Sequence, residues 1–294
     1  MSEQRIDALL PQEMAARAEY LGVRKAEMPF LKMFMLSVLA GAFISLGAIF
    51  ATTVSAGSIV ITPAEGASYS AALPFGVTRL LSGLVFCLGL ILVVVGGAEL
   101  FTGNNLIVMA WANGKVTAGA VLRNWVVVYF GNFVGAAGTA VLMFFTRQYT
   151  FGGNSVGIAA LRTAAAKCDL EFLQALALGI LCNALVCLAV WLTFSARSTV
   201  DRILSIIFPI TAFVAAGFEH SIANMYFIPY ALLIKMFDTS FIATVGDAVA
   251  NLDKLTWQAF WFGNLLPVTL GNIVGGAVLV AAIYWAIYLR RTES

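Results

Sequence analysis

Long apolar runs alternate with short polar connections along this chain. No Asp, Glu, Lys or Arg occurs between Lys32 and Glu65, Arg79 and Glu99, Arg123 and Arg147, Glu171 and Arg197, or Lys254 and Arg290. A sixth run follows Arg202, interrupted only by Glu219 and His220. A helix needs about 20 mostly apolar residues to cross a bilayer, so the pattern predicts six crossings at roughly 30–56, 75–112, 117–146, 172–196, 203–237 and 257–289. The second and fifth are too long and too interrupted to be plain helices. Residues 1–29 mix charged positions with Ile6, Leu9, Leu10, Met14 and Leu21. That spacing predicts a separate amphipathic helix at the cytoplasmic surface or against the mouth of the 30–289 membrane domain.

The interruptions repeat. Gly97 to Asn104 and Gly217 to Asn224 both read G-x-E-x4-N, and Asn124 to Gly135 and Asn264 to Gly275 both read N-x6-G-N-x-V-G. Two motifs in the same order indicate duplication, with repeats at about 30–146 and 172–289. Three crossings is an odd number, so the second repeat enters from the opposite face. The expected architecture is an all-α membrane protein of two inverted three-helix repeats, with broken second and fifth helices meeting near mid-membrane. That arrangement belongs to transporters and channels.

Composition and charge narrow the function. The chain is 61% hydrophobic and 11% charged, with a net charge of +2, which excludes a soluble domain, a disordered chain and a nucleic-acid binder. Eleven of the 17 Lys and Arg residues fall on the N-terminal side of the predicted spans, which places both termini in the cytoplasm. Cys87, Cys168, Cys182 and Cys187 have no His, Asp or second Cys at ligand spacing and read as packing residues. With no metal set, cofactor motif or activated nucleophile in view, the chain does not read as an enzyme.

Chemistry concentrates at the breaks. Glu99 and Glu219 occupy matching positions, and symmetric copies suit bonding of the N–H groups that a broken helix frees, a structural role. His220 breaks the symmetry, because Leu100 stands at its counterpart. A lone His at mid-membrane, beside a helix break, is placed to offer a hydrogen bond or a proton to a small anion. Phe86, Leu90, Leu100 and Phe213 flank the breaks and are candidates for apolar constrictions. Lys167, on a long outer loop, is placed to attract anions.

The strings Gly97-Ala98-Glu99-Leu100-Phe101-Thr102 and Gly217-Phe218-Glu219-His220-Ser221-Ile222-Ala223-Asn224-Met225, with Tyr129 to Asn132 and Pro267 to Asn272, resemble the formate/nitrite transporter family. The resemblance runs from about residue 30 to Leu289. It implies an aquaporin-like fold, a homopentamer with one pore per subunit, a bacterial inner-membrane location, and transport of formate or another small monovalent anion such as nitrite or hydrosulfide. It also implies that His220 is the central pore histidine with Thr102 opposite, that Asn183 and Asn224 are polar groups near it, and that Lys167 is the outer-vestibule lysine. Phe86, Leu90, Leu100 and Phe213 fall where the family has its constrictions. No cofactor is implied. Gly103 departs from the Ser expected after Thr102.

Overall fold

The computed structural model describes residues 7–61 and 69–290. Six helices are long and apolar enough to cross a membrane: Phe30–Ser55, Phe75–Gly96, Ala118–Thr146, Phe172–Ser195, Thr199–Ala216 and Ala259–Tyr288. Four of the six begin at a start signal in the sequence. Pro29 and Pro74 precede the first and second spans. Thr117 accepts the Ala120 N–H at the third, and Ser198 and Asp201 cap each other's backbone at the fifth. A short antiparallel pairing, Ile59–Ile61 with Tyr69–Ala71, lies between the first two spans.

The first span packs on the second and third, and the fourth packs on the fifth and sixth, so each repeat builds one bundle. The bundles join where the second span meets the fifth and where the third meets the helix Ser221–Phe237. Matching glycines make the bundles tight. A Cβ at Gly135 would collide with the Val38 carbonyl oxygen, and one at Gly275 with that of Ile180. Backbone cannot yield as a side chain can, so overpacking here falls at or above the upper end of the usual range of about 1–3 kcal/mol. Gly135→Ala and Gly275→Ala are therefore expected to leave little monodisperse protein in detergent. Gly138→Ala, on the same helix but facing open space, is expected to behave as wild type; size-exclusion profiles check both.

The sixth span differs from the third. The third is α-helical throughout, whereas the sixth is π-helical at Ala259–Leu265 and Val274–Ala282. Outside the spans, Pro11–Ala26 and Ser155–Cys168 form two further helices. Lys167 thus sits on the last turn of a helix rather than on a loop. The small residues Gly157, Ala160 and Ala164 on that helix are buried, which lets it pack closely.

Candidate functional site

Both broken crossings stop at a left-handed glycine and restart with the same backbone. Gly97 and Gly217 each have φ of +79°, a conformation that glycine adopts without steric cost. After three intervening residues in each case the chain resumes as Phe101–Asn104, which continues through Asn105–Ile107 into Val108–Ala112, and as Ser221–Phe237. The residues that open the two restarts, Leu100 and His220, have nearly the same φ, −111° and −112°. The first restart is short and passes into 3-10 geometry, so the helix dipole there is weaker than that of the 17-residue second restart.

The free N–H groups at these restarts go to asparagines, and the glutamates do something else. Phe101 N donates to Asn132 Oδ1 at 2.9 Å and Ser221 N to Asn272 Oδ1 at 3.0 Å. Asn132 Nδ2 donates to the Ser37 and Glu99 carbonyls, and Asn272 Nδ2 to those of Gly179 and Glu219. Glu99 Oε1 instead accepts from Lys25 Nζ at 2.7 Å, while its Oε2 accepts from Asn104 Nδ2. Glu219 Oε1 accepts from Lys167 Nζ at 2.6 Å, while its Oε2 accepts from Asn224 Nδ2 and Asn264 Nδ2. Asn124 and Asn264 close each cluster by donating to the Lys25 and Lys167 carbonyls. Pro11–Ala26 and Ser155–Cys168 are therefore equivalent by inverted symmetry, each bringing one lysine to the carboxylate of its own half.

His220 supplies what Leu100 cannot. Its Nδ1 accepts the Ala223 N–H at 3.1 Å, so the proton of the neutral ring resides on Nε2, which donates to Thr102 Oγ1 at 3.0 Å. The ring stacks on Phe213 with centroids 5.9 Å apart, and Phe213 meets Phe86 edge to face. Around this point the cavity narrows to about 10 Å³ between Ile44, Phe86, Leu90, Leu100, Val186, Ile210, Phe213 and His220. Such a space barely admits one water.

A wider cavity opens on each side of that neck. One, of about 290 Å³, shares Phe86, Phe213 and His220 with the neck and contains Arg79, Lys167, Glu219 and Asn224. The other, of about 330 Å³, shares Leu90 and Leu100 and contains Arg17, Lys25, Glu99, Asn104 and Arg202. Lys167 lies 5.6 Å from the Phe227 ring centroid and is 14% exposed, against 32% for Lys25. Arg79 donates to the Val214 and Ala215 carbonyls, where it stabilises the end of the broken fifth helix.

Of the residues singled out from sequence, Phe86, Leu90, Leu100, Phe213 and His220 meet at the neck, Thr102 touches His220, and Lys167, Glu219 and Asn224 share one vestibule. Glu99 lies in the other vestibule. Asn183 lines none of these cavities: it is fully buried and donates to the Thr102 and Asn272 carbonyls. It has room because Gly276 stands opposite, where a Cβ would collide with Asn183 Nδ2. Cys187 Sγ also donates to the Thr102 carbonyl, and all four cysteines are free and buried. Cys168 ends the helix that carries Lys167, and burial pushes its thiol up to about 11. Lys25 was missed because it looks like any charge on an amphipathic helix; its one signal is a place on the polar helix that precedes a first crossing, as Lys167 precedes the fourth.

Comparison with known proteins agrees with this geometry. The profile of formate/nitrite transporters matches residues 12–286. The chain is 44% identical to the formate channel FocA of Escherichia coli K12, over 98% of this chain and 97% of that one. It is 35% identical to a probable formate transporter of Methanothermobacter thermautotrophicus, over 95% and 97%. A solved pentameric formate channel with formate bound superposes with a TM-score of 0.78 at 46% identity, over 89% of this chain and 98% of that one. A multi-pass membrane protein of two inverted repeats, with cation-bearing vestibules meeting at a histidine neck, this chain belongs to the formate/nitrite transporter family.

Proposed function

We propose that the chain conducts formate, and less readily other small monovalent anions such as nitrite or hydrosulfide, across the bacterial inner membrane. It works as a homopentamer with one pore per subunit and both termini in the cytoplasm. The names of its relatives and the pentameric, formate-bound neighbour support the substrate and the assembly. The observation that carries the reading is the neck itself, where one imidazole N–H faces a path that is otherwise apolar and is flanked on each side by a lysine held beside a glutamate.

The mechanism follows from the cost of desolvation. Moving a carboxylate from water into an apolar passage costs several kcal/mol even after relaxation, and a neck of about 10 Å³ carries no hydration shell along. The vestibule cations concentrate the anion. His220 Nε2–H then exchanges its bond to Thr102 for one to a carboxylate oxygen, replacing part of the lost hydration. The anion takes a proton from hydronium in the vestibule, HCOO⁻ and H₃O⁺ giving HCOOH and H₂O, and the neutral acid passes the apolar residues. Ser221 Oγ, beside His220 in sequence, has no hydrogen-bond partner among the described residues.

The test is uptake of labelled formate and nitrite into liposomes at outside pH 5 and pH 7. Formate uptake that exceeds nitrite uptake and accelerates at the lower pH is expected. Faster nitrite would overturn the substrate choice, and flux indifferent to both pH and the His220 side chain would sink the proton step.

A further inference from the structure

The vestibule beside Pro11–Ala26 holds more positive charge than its carboxylate balances. Arg17, Lys25 and Arg202 line it with Glu99 as their acidic companion, and Lys25 already occupies Glu99. Between described residues the ion pairs are Lys25–Glu99, Arg147–Asp238, Lys167–Glu219 and Lys254–Asp169, so among the described residues neither Arg17 nor Arg202 has a carboxylate partner. Arg17 donates through Nη1 to the Phe194 carbonyl, which leaves most of its five N–H groups unassigned. Both side chains are half-buried against apolar walls that include Leu21, Val94, Val190 and Phe194.

This crowding of like charge is unfavourable as it stands. Burial first, then the fields of Arg202 and Arg197, lower the proton affinity of the Arg17 guanidinium. Asp201 forms no ion pair with either arginine, and its Oδ2 accepts from the Arg197 and Ser198 backbone N–H groups. The opposite vestibule has the smaller surplus: its Lys167 pairs with Glu219, which leaves one arginine, Arg79, and that donates to two carbonyls.

We propose that Arg17 and Arg202 form a binding site for a small carboxylate anion in the vestibule beside Pro11–Ala26, a waiting position ahead of the neck. The proposal deepens the transport reading and takes its meaning from it. Guanidinium N–H groups suit a carboxylate in both charge and geometry, and a recess of about 330 Å³ accommodates a small anion with part of its hydration. Since the opposite vestibule holds one arginine outside an ion pair against two here, the two faces differ in anion affinity.

Formate is a suitable probe because its single C–H proton reports binding by saturation-transfer NMR with the purified protein. Loss of a charge-assisted contact weakens binding by about tenfold or more, so Arg17→Gln with Arg202→Gln is expected to raise the half-saturating formate concentration by that much. Arg17→Lys with Arg202→Lys is expected to recover part of the loss. In the unmodified protein, millimolar formate is expected to slow phenylglyoxal modification of Arg17 and Arg202 several-fold while leaving the exposed Arg197 unchanged. Superimposable isotherms for wild type and the Gln variants, or equal modification with and without formate should the variants fail to fold, would overturn the site. Failure of liposome uptake with formate binding intact would overturn the transport reading and leave the site standing.

Discussion

Replacing His220 with leucine is expected to cut formate flux by between ten- and a hundredfold while leaving the protein folded. The backbone supports this expectation, because Leu100 occupies the matching position with nearly the same φ and shows that leucine is tolerated there. The substitution removes the cap on the Ala223 N–H, which costs about 1 kcal/mol, and opens no large void. What vanishes is the one polar donor at the neck. A hydrogen bond to a charged group contributes about 1.5–3 kcal/mol, and every 1.4 kcal/mol is a factor of about ten in rate. Asparagine at the same position keeps both an N–H donor and a good capping oxygen, so His220→Asn is expected to retain flux within several-fold of wild type. Stopped-flow uptake into liposomes, with size-exclusion profiles of each variant, measures both. A leucine variant that conducts like wild type would show that the imidazole does not compensate for lost hydration.

The fold was legible in the sequence where physics acts locally. Charge-free runs marked the spans to within a few residues, and the G-x-E-x4-N pair marked the two breaks, because bilayer thickness and exposed backbone leave few alternatives. The lone His and its Leu counterpart, singled out by the broken symmetry, both line the neck. Partnerships across the molecule were not legible. From sequence alone Glu99 and Glu219 looked like caps for broken helices, yet Asn132 and Asn272 take that duty and the glutamates hold lysines instead. Lys25 lies 74 residues from Glu99 and Lys167 lies 52 from Glu219, so no fixed spacing reveals the pairing. Asn183 shows the same limit: its place depends on Gly276, and the equivalent site in the first half holds the small residue on the other helix, with Gly41 against Asn132 and Ala136.

Breaking the Lys167–Glu219 pair is expected to be more damaging than removing it. Lys167→Met leaves the Glu219 carboxylate, 5% exposed, with Asn224 and Asn264 as its remaining donors. An uncompensated buried charge of this kind costs about 3–5 kcal/mol, and the vestibule, with Arg79 left against Glu219, would also lose its net positive charge and its pull on the anion. Glu219→Gln removes the charge that pairs with Lys167 and leaves one acceptor oxygen, so its NH2 must face either the Lys167 ammonium or the Asn224 and Asn264 amides, all of them donors. The double variant, Lys167→Met with Glu219→Gln, buries no charge. Replacing a whole buried pair is often nearly neutral for stability, so it is expected to recover most of the thermal stability that the lysine substitution loses in detergent. It is not expected to recover formate flux, since that vestibule then lacks its lysine and keeps Arg79, which is hydrogen-bonded to the Val214 and Ala215 carbonyls, as its cation. A double variant no more stable than Lys167→Met would show that the two side chains are not coupled. At Lys25 and Glu99 the same cycle is expected to give the smaller coupling. Lys25 is 32% exposed against 14% for Lys167, and water at its ammonium screens the charge that burial leaves bare at Lys167.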